Sequence, residues 1–317
     1  MILLIQQLAR KLCLFVLVFL SLTTGCRVGE KWHTSTLLFF DTVCQINIFS
    51  SDSDFKTAQG EVFRVFTEIE KHFSPGKKDY SSPIVVELFH RALEVYRDSD
   101  GCFDITVAPL SKIWGFVGNQ RRLPPPQEIK SALKHIGIEK ISEENGTLIL
   151  LPEMELDWGG IAKGFGIDLA SKSLIKMGIS KGFINAGGDL YCWGNNPDNR
   201  AWNIGIKAPR KEGHFGIISI SNFGAATTGD YQRYFMRDGV RYHHVFDPRT
   251  GYPSRGKRSV TVIGPETVLC DALSTALFVS QQPEKILEKY PNYGAIIIDS
   301  DGNISLLGKS YPFSMVE

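Results

Sequence analysis

Strand-like and helix-like segments follow one another along this chain with no long Pro/Gly/Ser linker between them, which confines it to one α+β unit with room for at most two subdomains. Leu37 to Phe49 (LLFFDTVCQINIF) is rich in apolar and β-favouring residues and predicts a strand running into a turn at Ser51-Asp52-Ser53-Asp54. From Phe55 to His72, Val62, Phe63, Val65, Phe66 and Ile69 recur at helical spacing, and Ile84 to Arg97 predicts a second helix ending in Asp98-Ser99-Asp100-Gly101. Pro124-Pro125-Pro126 stops any element, after which short helices are expected over Gln127 to His135, Ala272 to Val279 and Glu284 to Tyr290, and a longer one over Ile161 to Met177. Strands are expected at Leu148 to Leu151, Gly182 to Asn185, Trp202 to Ile206, His214 to Ser221, Tyr242 to Phe246 and Gly294 to Asp299.

The 317 residues are 43% hydrophobic and 22% charged, enough to bury a sizeable core. Lys plus Arg number 35 against 34 for Asp plus Glu, so no net field draws nucleic acid. Residues 1–25 differ in kind: Arg10 and Lys11 precede an apolar run from Leu12 to Leu22, the pattern of a signal peptide. That run is about half of the ~20 residues a membrane-spanning helix needs. Leu22-Thr23-Thr24-Gly25-Cys26 then resembles a bacterial lipobox, with ordinary signal cleavage nearby as the alternative. The expected division is therefore a signal peptide over 1–25, a linker over 26–36 behind a lipid-bearing Cys26, and a folded domain over 37–317. Such a protein is exported and anchored on the periplasmic side of the inner membrane. Cys44, Cys102, Cys192 and Cys270 are scattered without C-x-x-C spacing, so zinc is not indicated, and their apolar neighbours favour buried free thiols over pairs.

Five segments break the hydrophobic patterning with polar and glycine residues, which is where local rules yield to function. In Phe103-Asp104-Ile105-Thr106, Asp104 and Thr106 alternate with apolar residues and would share one face of an extended stretch. Leu156-Asp157-Trp158-Gly159-Gly160-Ile161-Ala162-Lys163-Gly164 places a glycine pair and a lysine at a helix start, a combination suited to anions such as pyrophosphate and equally found in simple turns. Asn185-Ala186-Gly187-Gly188-Asp189 ends a strand in a tight turn with a carboxylate. Thr228-Gly229-Asp230-Tyr231-Gln232-Arg233 and His243-His244-Val245-Phe246-Asp247-Pro248-Arg249 gather acid–base groups, with the two histidines expected on opposite sides of a strand end. Cys270-Asp271-Ala272-Leu273-Ser274-Thr275 puts a carboxylate and a hydroxyl at i and i+4 on one helix face, which suits a hard cation but by spacing alone reads as an N-cap aspartate with a threonine bonding back into its helix.

In this order the strings FDITVAPL, LDWGGIAKG, INAGGDL, TTGDYQRYF, HHVFDPRTGYP and DALSTALF resemble the ApbE family of FAD:protein FMN transferases, over about Leu37 to Gly308. The resemblance implies a T-fold-like α+β architecture of antiparallel sheets with packed helices and an FAD cleft between subdomains. It implies Mg²⁺ held by the Gly160 carbonyl, Asp271 and Thr275. FAD, the substrate, is contacted by Phe40, Cys102, Phe103, Asp104, Asp157, Lys163 and Val245, several through backbone atoms. His244 matches the histidine that takes the proton of an acceptor Ser or Thr, FMN passes to that hydroxyl and AMP leaves. The implied acceptors are exported flavoproteins such as subunits of the sodium-translocating NADH:quinone oxidoreductase. Two departures stand out: Phe40-Asp41-Thr42 where many members have Met-Gly-Thr, and a shortened Phe73 to Ser82 stretch lacking the usual Ser-x-x-Ser-x-Leu-Asn run. That second stretch bears on whether FMN is transferred or FAD merely hydrolysed, so an Mg²⁺-dependent FAD pyrophosphatase and a non-catalytic FAD-binding lipoprotein stand as alternatives.

Overall fold

The computed structural model describes residues 29–316 apart from residue 119; the signal peptide and Cys26 expected from the sequence lie outside the described residues. Strands β1 (Lys31–Phe39) and β2 (Thr42–Ser50) are followed by helices α1 (Asp52–Phe73), α2 (Pro83–Asp98), α3 (Ala108–Ile113) and α4 (Pro126–Ala132), and by the small strands β3 (Ser142–Glu144) and β4 (Thr147–Ile149). Helix α5 (Ala162–Lys176) leads to β5 (Gly182–Ala186), β6 (Asp189–Trp193), β7 (Trp202–Lys207), β8 (His214–Ile220) and β9 (Phe223–Gly229). Then come β10 (Tyr234–Arg237), β11 (Val240–His243), β12 (Lys257–Gly264), α6 (Thr267–Val279), α7 (Pro283–Leu287), β13 (Gly294–Asp299), β14 (Ile304–Gly308) and β15 (Phe313–Met315).

Eight strands form the main sheet in the order β1-β2-β5-β6-β9-β12-β13-β14, every neighbouring pair antiparallel. One face carries the helices and the other a three-stranded sheet of order β15-β8-β7. The period-2 alternation of a strand serves both layers. On β13, Ala295 and Ile297 join the helix-side core while Ile296 and Ile298 join the core beneath the small sheet. A strand buried on both faces needs the continuous apolar run that Gly294 to Asp299 shows. The α+β class and antiparallel sheets expected from the sequence are those observed.

Two expectations are corrected at the N-terminal end. Leu37 to Phe49 is not one strand but the inner part of a hairpin, with Phe39 facing Thr42 across the two-residue turn Phe40-Asp41. Both turn residues have positive φ, 56° and 54°, the conformation a tight hairpin demands and for which Asn-Gly is the usual signal. Phe-Asp carries no such signal, so the apolar pattern runs straight through it. The segment 26–36 expected as a linker is strand from Lys31 onward, paired with residues 45–50 of β2. The other expected elements fall within about five residues of their predicted bounds, whereas α3, β6, β9, β10, β12, β14 and β15 are not among those read from the sequence. The serine of the Ser51 turn caps α1 by accepting a hydrogen bond from the Asp54 amide at 3.1 Å. Cys44, Cys102, Cys192 and Cys270 are buried free thiols. Among the described residues no helix is long and apolar enough to cross a membrane.

Candidate functional site

Helices α5 and α6 cap one another, and this sets the site. Neither has a capping side chain of its own at its N-terminus. Instead Asp168, in the middle of α5, accepts hydrogen bonds from the Thr267 and Val268 amides at the start of α6, both at 2.9 Å. In return Asp271, in the second turn of α6, accepts one from the Gly164 amide in the first turn of α5 at 3.1 Å. Asp271 therefore is not the N-cap of its own helix, as spacing alone suggests; the cap it supplies is to a helix that lies over a hundred residues away in sequence. Such an exchange needs close helix packing. A Cβ on Gly164 would stand 2.4 Å from the Thr267 carbonyl oxygen, so only glycine fits there.

The exchange gathers a small charged centre. The Lys163 ammonium bonds to Asp189 at the start of β6 and lies 3.7 Å from Asp271 Oδ2. Both carboxylates are buried, at 4% exposure each. Burial pushes the Asp271 carboxyl up from its ordinary value, with Lys163 and the Gly164 amide acting the other way. One turn further along α6, the Thr275 hydroxyl is 3.0 Å from that of Thr228. A Cβ on Gly160 would lie 3.4 Å from the Thr275 hydroxyl and 3.2 Å from the Phe103 ring, so Gly160, Phe103 and Thr275 meet at one point. It is Ser274, not Thr275, whose hydroxyl bonds back into the helix, to the Asp271 carbonyl at 2.8 Å.

The two histidines divide as expected. His243 is buried: its Nε2 donates to the Ser254 carbonyl at 2.7 Å, which leaves Nδ1 to accept from the Val245 amide, and its ring packs edge-on to Phe278 of α6 at 5.5 Å. Desolvation lowers its pKa. His244 is half-buried, and its Nδ1 faces the Arg233 carbonyl at 3.3 Å. A carbonyl can only accept, so Nδ1 carries the proton and Nε2 keeps a lone pair. Its imidazolium form is disfavoured first by desolvation and then by the Arg233 cation, with His243 and Lys163 adding smaller repulsions; the pKa lies well below the ordinary histidine value. The turn before this hairpin is gripped from the small sheet: Arg210 donates to both oxygens of Asp230, at 2.7 and 2.5 Å.

The remaining candidates hold structural positions, not all of them at this centre. Asp157 accepts from the Gly159 amide at 3.0 Å and from the Ser111 hydroxyl at 3.2 Å, shaping the glycine turn. Phe40 is held by its amide, which donates to Glu70 at 2.6 Å, and by ring contact with Phe66 at 4.9 Å; a Cβ on Gly166 of α5 would meet its ring. Val245 is buried beside His243. Cys102 is buried too, with its thiol pushed up by burial and in reach of Ser280, beyond the C-terminal end of α6. Asp104 is corrected: residues 103–106 are a loop, not an extended stretch. The Asp104 carboxylate accepts from the Thr106 amide and hydroxyl, at 2.8 and 2.6 Å, and from the Ile138 amide at 3.3 Å. Local side-chain to backbone bonding of this kind competes with strand formation, and no neighbouring strand offers an alternative. Asp104 also lines a cavity of about 300 Å³ with Tyr96, Glu139 and Arg249, which none of Lys163, Asp271, Thr275 and His244 enters.

Comparison with known proteins places this geometry. Residues 40–297 match the ApbE family. The chain belongs to it. Over 290 residues it is 33% identical to the FAD:protein FMN transferase of Vibrio cholerae, covering 84% of this chain and 86% of that protein. The FAD:protein FMN transferase of Treponema pallidum is 28% identical over 318 residues, covering 88% of each. With the Haemophilus influenzae enzyme of the same name identity is 34% over 208 residues, and the chain spans 60% of that relative's length. The fold superposes on the ApbE protein of Thermotoga maritima with a TM-score of 0.82 at 31% identity, covering 87% of this chain and 97% of that one. For the flavin transferase ApbE from Vibrio cholerae the TM-score is 0.79 at 27% identity, covering 89% and 98%.

The ApbE match begins at the Phe40 turn and ends within β13, so it contains every candidate site residue except Cys26. Sequence patterning singles out neither Asp168 nor Arg210, while Asp189 and Asp230 fall within two of the five segments that break the patterning but carry no assigned role there. Asp168 does carry a signal, an acid on the apolar side of a helix, since an acid is almost never fully buried without a partner.

Proposed function

We propose that this chain is an Mg²⁺-dependent FAD:protein FMN transferase, exported and anchored through Cys26 to the periplasmic side of the inner membrane. The observation that carries this reading is that α5 and α6 bring Lys163 to Asp271 and the Gly160 turn to Thr275, with the residue before His244 packed against Phe278 of the same α6. The donor set suits Mg²⁺. Among the described residues no group of three His, Cys, Asp or Glu side chains forms a cage, but Mg²⁺ is usually bound by one or two carboxylates completed by water and substrate phosphates. Asp271 is a buried carboxylate with one amide donor, and a Cβ on Gly160 would press on the Phe103 ring at 3.2 Å and touch the Thr275 hydroxyl at 3.4 Å, so the space between Gly160 and Thr275 is narrow. The Gly160 carbonyl, Asp271 and Thr275 would hold the ion, which when bound supplies charge neutralisation to the pyrophosphate.

The protein's own groups do the rest. Lys163 adds a cation for the pyrophosphate beside the glycine turn, and Phe40 and Phe103 are the aromatic residues proposed to contact FAD. In the transfer, the acceptor Ser or Thr oxygen bonds to the phosphorus on the FMN side, the pyrophosphate P–O bond breaks, and AMP departs with the bridging oxygen. The hydroxyl proton goes to His244 Nε2, the nitrogen that the Arg233 carbonyl leaves unprotonated. Exported flavoproteins such as subunits of the sodium-translocating NADH:quinone oxidoreductase are the proposed acceptors. The test is incubation of the purified protein with FAD, Mg²⁺ and such a subunit, followed by in-gel flavin fluorescence and mass spectrometry. An FMN adduct on Ser or Thr is expected. AMP and free FMN without an adduct would make the protein an FAD pyrophosphatase, and retained FAD without AMP would make it a carrier.

A further inference from the structure

Lys163 is one ammonium between two buried carboxylates. It bonds directly to Asp189, whereas Asp271 stands 3.7 Å away, within ion-pair reach but beyond hydrogen-bond distance. Asp189 is itself fixed, because its other oxygen accepts from the Thr227 amide of β9 at 3.3 Å and its own backbone begins β6. A half-buried ammonium beside buried carboxylates is drawn to whichever anion is at hand, and without Asp189 the nearest is Asp271. A cation competing for Asp271 would then have to displace a full ion pair in a low-dielectric site.

We propose that Asp189 is a positioning residue that holds the Lys163 ammonium off Asp271 and so keeps the Asp271 carboxylate open to a divalent cation. The arrangement also leaves Lys163 with a partner once the cation is in place, so that the ammonium stays at the glycine turn where the pyrophosphate is expected. This rests on the cation site proposed above.

Asp189→Asn keeps an oxygen for the Thr227 amide while removing the charge that restrains Lys163. Mn²⁺ binding is measured by electron paramagnetic resonance on the purified protein with the metal alone, for the wild type, Asp189→Asn, Lys163→Met and the double variant. The single Asp189→Asn variant should bind Mn²⁺ at least about tenfold more weakly, since the ammonium now neutralises Asp271. Adding Lys163→Met should restore affinity to near the wild-type value, because the competing cation is gone. Equal affinity of wild type and Asp189→Asn would overturn the proposal. So would a double variant as weak as the single, which would mean that Asp189 acts only through the Thr227 hydrogen bond. Wild-type protein that took up no Mn²⁺, either with the metal alone or with FAD added to complete the coordination, would remove the cation site itself, and this inference with it.

Discussion

Replacing Asp168 by Ala removes the cap of α6 and should weaken the fold in a way that depends on pH. Two buried amides, each bonded at 2.9 Å, lose their acceptor. At about 1–3 kcal/mol for each orphaned donor, the cost is roughly 4 kcal/mol. Against this stands the burden of the carboxylate itself, which is 3% exposed and whose pKa is raised from 3.8 to about 6, chiefly by desolvation, with the Val268 and Thr267 amides opposing. A folded pKa above the unfolded one means that the folded state holds a proton the unfolded state has released. Stability from this group is thus complete below pH 3.8 and is lost as pH rises through the window up to about 6. A rise of that size corresponds to about 3 kcal/mol. Asp168→Ala should therefore cost roughly 4 kcal/mol near pH 4 and only about 1 kcal/mol at pH 7. Urea unfolding followed by tryptophan fluorescence at several pH values reads this directly. A destabilisation that stayed constant across the window would refute the reasoning, because it would mean that the carboxylate is not desolvated in the folded state.

The same architecture carries further expectations. Gly164→Ala drives a Cβ to 2.4 Å from the Thr267 carbonyl, a backbone atom that cannot step aside, so a loss of about 3 kcal/mol is expected in the same assay; a loss under 1 kcal/mol would show that α5 and α6 can part freely. In the free protein His244 should stay neutral as pH falls from about 8 to about 5, since burial and Arg233 hold its pKa below the reference of about 6.5; an NMR titration with a midpoint near that reference would contradict this. Asp271→Ala should abolish Mg²⁺-dependent AMP release while leaving α5 folded apart from one lost amide bond, and unchanged turnover would remove the residue from the cation site.

Much of the frame is legible in the amino-acid sequence. Local patterning is enough to specify elements such as β13, whose uninterrupted apolar run marks a buried strand, and α1, whose apolar stripe marks its face, although the helix begins at Asp52 inside the segment read as a turn. The ordered glycine and acid segments likewise point to the ApbE family, because turns that approach a ligand constrain residue type locally. The Phe40-Asp41 hairpin is not legible, since its positive φ values are held by the Glu70 bond and the Phe66 ring, both from α1. Asp104 reads as part of a strand because one of its true partners, the Ile138 amide, lies 34 residues on. What only the tertiary structure decides is the role of each charge. Asp168 and Asp271 exchange caps across about a hundred residues of sequence, and Lys163 chooses Asp189 over Asp271. Spacing along a chain records which groups share a face, whereas the energy of a buried charge depends on what is packed against it from elsewhere.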